Sequence, residues 1–216
     1  MDGIKGLKKD LMIRYSHSKG RGKYMLNKLD NAALVIIDVQ KAFNHEKWGV
    51  RNNLEAEQNI ESLLKIWRKK KYPIIHIQHL SDNIHSIMHP SHEGSEFKDI
   101  VKPIEGEVVI QKKVNSAFIG TNLEEYLRTN GIEKVVIVGL TTPHCVSTTT
   151  RMSGNLGFDT YLISDATAAF GMKGPNDIYY SAEEIHAISL ATLHEEFATI
   201  LTTNEMMGIT EIEILK

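Results

Sequence analysis

The chain has one cysteine, Cys145, among 216 residues. That excludes an internal disulfide and any metal cluster held by several thiolates. A single thiol suits a reducing compartment, so a cytoplasmic location is expected. No apolar run approaches the roughly 20 residues of a membrane-crossing helix, and the first residues lack the apolar core of a signal peptide. Charge of one sign is scarce as well. A formal net charge of −2 argues against a polyanionic partner, so neither nucleic acid nor a membrane is expected. There is no internal repeat. With 42% apolar residues the chain can fill one sizeable core, and its length fits one domain better than two.

Residues 1–28 stand apart. Eight lysines and arginines there face only Asp2 and Asp10, and SHSKGRGK within them reads as a flexible link. The division expected is a basic N-terminal arm, 1–28, ahead of one domain, 29–216. Such a charge run is more often solvated surface than a binding element.

From residue 32 onward, apolar runs alternate with helical patterns. Strands are expected at 32–37, 73–80, 108–111, 135–138, 161–164 and 198–202. Several lack polar alternation, as central strands covered on both faces do. A helix over 54–71 carries the stripe Leu54, Ile60, Leu63, Leu64 and Trp67, with Lys69, Lys70 and Lys71 at its C-terminal end. Another over 122–130 is capped by Thr121 and closed by Gly131. A third opens at Cys145. A fourth follows Ser181, with Ile185, Ile188, Leu193 and Phe197 on its face. Residues 171–181, marked by glycine and proline, read as a lid. The pattern predicts an α/β fold: a three-layer α/β/α, Rossmann-like domain with a mostly parallel sheet of about six strands.

Three chemically useful groups end three of these strands: Asp38, a lysine at 112 or 113, and Cys145 in the turn of VVIVGLTTPHCVSTTTR. Parallel strands bring such ends together at the crevice where α/β sheets bind ligands. Each group has a plain alternative: a buried small hydrophobe for the cysteine, a turn cap for the aspartate, a solvated amine for the lysine. Together they can activate a thiol, the carboxylate taking and returning its proton and the lysine favouring the anions. A helix N-terminus is expected to lower the thiol pKa. Five histidines, His76, His79, His85, His89 and His92, fall close together. There is no HExxH pattern, and a three-histidine site would need the loop to fold back on itself, so pocket and loop lining is expected rather than a metal.

At these residues the sequence resembles the isochorismatase-like cysteine hydrolases, which include nicotinamidases, N-carbamoylsarcosine amidohydrolases and ureidoacrylate amidohydrolases. ALVIIDVQKAF, VIQKKVNSAFIGTNLEEYLR, GLTTPHCVSTTTR with NLGF, and ISDATAAF carry the likeness over residues 29–207. The resemblance implies a catalytic triad of Asp38, Lys112 and Cys145. The family lysine lies four residues before the serine of SAF, which selects Lys112 over Lys113. It also implies a non-proline cis peptide between Leu140 and Thr141 and an oxyanion hole from the backbone N–H groups of Thr141 and Cys145. The expected reaction is hydrolysis of a C–N bond in a small amide, ureido or carbamoyl compound through a thioester, without cofactor or metal. The D-x-H metal pattern of nicotinamidases is replaced by HIQHLSDNIH, and Pro143 stands where an acidic or small residue is more usual. The alternatives are vinyl-ether hydrolysis of the isochorismatase type, with Asp38 as general acid, and a non-catalytic binding module. Position in the rim loops suggests Phe43, Trp48, Gln78, His79 and Phe118 as pocket residues. A homo-oligomer, dimer or tetramer, is expected by resemblance.

Overall fold

The computed structural model describes residues 29–212; the basic arm expected at 1–28 lies outside the described residues. Within the compact unit Asn31–Thr203, six strands form one sheet in the order β3-β2-β1-β4-β5-β8. They are β1 Ala33–Ile37, β2 Ile74–His79, β3 Val108–Lys112, β4 Lys134–Leu140, β5 Asp159–Ala168 and β8 Thr199–Leu201, and every pairing is parallel. Two short strands, β6 (Met172–Lys173) and β7 (Tyr179–Tyr180), pair antiparallel in a separate hairpin. The helices are α1 Ala56–Lys70, α2 Leu123–Thr129, α3 Ser147–Asn155, α4 Ala182–Ala191 and α5 Thr203–Ile212. This is the three-layer α/β/α architecture. None of the described helices is long and apolar enough to cross a membrane.

All five residues of β1 are buried. Ala33, Val35 and Ile37 join Leu123 and Leu127 of α2 in one apolar cluster. Leu34 and Ile36 point the other way by strand alternation, to the face where α1 places Ile60, Leu63, Leu64 and Trp67, all fully buried. The Trp67 indole donates to the Ala32 carbonyl at 2.8 Å, which satisfies its one polar group. β1 passes to β2 and β3 on one side, and β4 passes to β5 and β8 on the other. The direction reverses between β1 and β4, which opens a crevice at the carboxyl ends of these two strands.

Close approach of β1 and β4 depends on Gly139. It has φ +123°, and a Cβ there would lie 2.1 Å from the Ile37 carbonyl oxygen and 2.6 Å from its nitrogen. Gly139→Ala is expected to cost more than about 3 kcal/mol, since the blocking atoms are backbone of the neighbouring strand and the positive φ adds strain. Urea denaturation measures this, and a loss below 1 kcal/mol would mean that the two strands part easily.

Several expectations are corrected. The strand expected at 161–164 extends through Ala168. Its polar second half is held by side chains: Asn53 donates to the Ser164 and Thr167 carbonyls and Asn59 to that of Asp165. Leu54 lies ahead of α1 and is 73% exposed. On α4 the buried residues are Ala182 and His186, while Ile188 is 60% exposed, and the helix ends before Leu193. Ser181 does cap α4, in a reciprocal box with Glu184. Cys145 does not open a helix. It lies inside a π-helical turn, Thr142–Val146, that precedes α3.

A buried ionic knot braces the crevice. Glu57 on α1 accepts from both terminal guanidinium nitrogens of Arg51 and from Lys98 Nζ at 2.6 Å. Burial alone would raise its pKa, but the two cations hold it down at about 2. Arg51 bridges to Phe170, and Asn52 grips Ala169 by two hydrogen bonds, so this knot fixes the segment that carries Phe170.

Candidate active site

Four neighbouring strands each deliver one group to the crevice. β1 ends at Asp38, which turns the chain sharply with φ 50°, a left-handed conformation that aspartate tolerates better than most residues. β2 ends at His79, opposite Lys112 at the end of β3. β4 leads through the cis peptide Leu140–Thr141 into the π-turn that holds Cys145. Thr142 in that turn hydrogen-bonds His186 Nδ1 of α4 at 2.9 Å, which ties the turn to a helix.

The groups meet at the Lys112 ammonium, whose residue is 2% exposed. Nζ donates to Asp38 Oδ2 at 2.7 Å, to His79 Nδ1 at 3.0 Å and to the Val114 carbonyl at 3.1 Å, and lies 3.3 Å from Cys145 Sγ. Lys113 points outward to Asp82, as strand alternation requires. Asp38, Lys112 and Cys145 are thus brought together. His79 is more central than a pocket-lining residue. An ammonium only donates, so Nδ1 of His79 accepts, and the neutral ring carries its proton on Nε2.

The electrostatics correct one expectation. Burial, and then the charge of Asp38, push the Cys145 thiol up to about 12, with Lys112 opposing. The π-turn leaves the residue only 8% exposed, and desolvation disfavours the thiolate more than the turn's dipoles favour it. Burial also raises Asp38, against the pull of Lys112. Its Oδ1 is buried with no N–H or O–H donor, and besides Lys112 the side chain that hydrogen-bonds the carboxylate is the Cys145 thiol. Burial and then Lys112 lower His79 to about 4, so its ring is neutral at pH 7. Burial likewise lowers His144.

A cavity of about 410 Å³ opens on these groups. Phe43, Trp48 and Phe170 form one wall, with ring centroids 5.4 to 6.2 Å apart. Met88 and Met172 also line the cavity, as do Asn115, Thr141, Pro143 and His144. Of the residues suggested from the sequence, Phe43, Trp48 and His79 line this cavity. Phe118 stacks on Phe158 at 6.0 Å, packed against the core. Gln78 donates to the Ser95 carbonyl and accepts from Gln111, away from the lining. Phe170 belongs to the quoted ISDATAAF and His144 to the quoted turn, but nothing in their spacing announced a wall. The remaining histidines disperse. His76 is buried against Glu107 at 2.8 Å, His89 bonds Ser91, and His92 lies 3.1 Å from the Ile84 carbonyl.

Comparison with known proteins agrees with this geometry. Residues 32–205 match the Isochorismatase domain. An uncharacterised isochorismatase family protein of Bacillus subtilis, YrdC, is 66% identical over 83% of this chain and 96% of its own. Nicotinamidase 3 of Arabidopsis thaliana is 27% identical over 88% of this chain and 96% of its own. A solved structure from Chromobacterium violaceum, ascribed to the isochorismatase family, superposes with a TM-score of 0.84 at 38% identity, covering 86% of this chain and 97% of that one.

Proposed function

Because this chain belongs to the isochorismatase family, whose members are hydrolases, we propose that it cleaves the C–N bond of a small amide, ureido or carbamoyl compound at Cys145. The observation that carries this reading is one buried ammonium in contact with both a buried carboxylate and the only thiol, the carboxylate and thiol residues lining a ligand-sized cavity. A thiol raised to about 12 does not rest as thiolate. Asp38 therefore takes its proton as the sulfur attacks the carbonyl carbon, and Lys112 supports each anion in turn. The tetrahedral oxyanion is received by the Thr141 and Cys145 backbone N–H groups. Asp38 returns the proton to the departing nitrogen, leaving a thioester and an amine or ammonia. Asp38 then takes a proton from water, which attacks the thioester, releases the acid and restores the thiol. The Nε2–H of His79 offers one hydrogen bond to a substrate acceptor.

The test is a panel of small amides, carbamoyl compounds and isochorismate, with ammonia and product detection. Wild type is expected to release ammonia and to carry a trapped acyl group on Cys145. Cys145→Ala is expected to lower turnover by roughly 10⁴-fold or more. An amide still cleaved by Cys145→Ala would rule the route out. The raised pKa of Asp38 also suits a general acid, so isochorismate breakdown that survives Cys145→Ala would select the ether-hydrolase reading.

A further inference from the structure

His186 is a buried titratable group that the reaction above does not use. Its Nδ1 lies 2.9 Å from the hydroxyl of Thr142, which is itself fully buried. The other ring nitrogen, Nε2, lies 3.4 Å from Asn53 Nδ2. That amide already donates to the Ser164 carbonyl at 3.0 Å and to the Thr167 carbonyl at 2.7 Å, so both its hydrogens are in use. Nε2 therefore keeps a proton of its own, with the Ser164 carbonyl as acceptor. Burial lowers the pKa of the ring against that contact, so it is neutral at pH 7. Nδ1 is then the bare nitrogen, and the Thr142 hydroxyl donates to it.

The turn that carries Cys145 needs such an anchor. At its start the His144 and Val146 N–H groups share one acceptor, the Thr141 carbonyl, at 3.1 and 3.3 Å, the long end of the normal range. The Thr141 hydroxyl bonds His144 Nδ1 at 3.0 Å, but that partner is three residues on and moves with the turn. His186 is 44 residues from Thr142, on a helix closed by a capping box and against the β5 segment that Asn53 braces. We propose that His186 is a positioning residue, an inference that rests on the roles given to Cys145 and Thr141 above. Through Thr142 it fixes the π-turn against β5, which keeps Sγ beside Asp38 and the Thr141 N–H at the substrate carbonyl. It touches no reacting atom. Its effect is on placement, where an error of about 1 Å can cost about 10²-fold in rate.

The experiment compares His186→Asn with His186→Gln in the whole chain. Asparagine puts an acceptor oxygen at the place of Nδ1 and meets Thr142. Glutamine reaches the place of Nε2, keeps the Ser164 contact and leaves Thr142 without its acceptor. Two quantities are read: kcat and KM for an amide of the panel that is cleaved, and the rate at which iodoacetamide alkylates Cys145, the only thiol. His186→Gln and Thr142→Val are each expected to lose about 10- to 100-fold in kcat, with KM within about threefold of wild type. Both are expected to be alkylated about tenfold faster, since a turn free to shift admits water to a sulfur that burial holds protonated. His186→Asn is expected to recover kcat to within about fivefold and to restore slow alkylation, at a urea midpoint equal to that of His186→Gln. Asparagine and glutamine variants that match in both readouts, or Thr142→Val alkylated as slowly as wild type, would overturn the proposal. If no amide is cleaved, the order of alkylation rates still decides, so failure of the amide reading and failure of this one are told apart. If neither His186 variant folds, Thr142→Val decides by the same two readouts.

Discussion

Asp38→Asn is expected to lower kcat/KM by about 10³- to 10⁴-fold, the upper range for removal of a general base. The thiol, pushed up to about 12, is held almost wholly in its protonated form at pH 7. Without a base beside it the sulfur is almost never a nucleophile. Asparagine keeps an oxygen for Lys112 but cannot take a proton. The wild-type pH profile carries the same information. In the proposed reaction Asp38 works as base in its ionised form, and burial raises its pKa. Activity is therefore expected to fall in acid, along a limb above the ordinary carboxylate range. The asparagine variant is expected to lack that limb. A variant within tenfold of wild type would remove Asp38 from the chemistry.

Lys112→Met is expected to impair folding and turnover together. It leaves the Asp38 carboxylate uncompensated in a fully buried position. Breaking a buried pair from one side costs about 3–5 kcal/mol. The pH dependence has a definite sign. With the lysine gone, the folded-state pKa of Asp38 rises further above its unfolded value. The folded variant then holds a proton that the unfolded chain releases, so its stability declines as pH rises. The deficit against wild type is expected to be largest at pH 8 and smallest near pH 5, read from urea midpoints at both. A protonated Asp38 is no base, so turnover falls by about 10³-fold as well. Equal deficits at the two pH values would show that Lys112 does not hold the charge of Asp38.

The parts of the molecule legible in the sequence are those governed by local pattern. β1 and β4 announced themselves because both faces are covered, so neither shows polar alternation. Lys112 faces inward and Lys113 outward because a strand admits nothing else. The second half of β5 was hidden, since its pairing is reinforced by Asn53 and Asn59, more than a hundred residues away along the chain. His79 was named for the pocket, but its contact with Lys112 was hidden: it depends on β2 lying against β3 in one register. The direction of the thiol pKa was misjudged because a helix start was read where a π-turn stands. A turn that buries the sulfur changes the balance between dipole and desolvation, and burial is set by the tertiary fold.

Lys112, His79, Asp38 and Cys145 come from β3, β2, β1 and the turn after β4, four strands in adjacent order. Their spacing is inherited from the hydrogen-bond ladder, whereas Trp48, Met88 and Phe170 come from segments between the sheet strands and Met172 from the β6–β7 hairpin. On the proposed reading, reaction and selectivity are thereby housed in parts of the chain that can diverge independently. Loop insertions or exchanges among the wall residues can change which molecule enters while leaving the bond-breaking apparatus in place. A one-residue slip of β3, in contrast, would bring Gln111 or Lys113 to the floor and silence the protein whatever its walls admit.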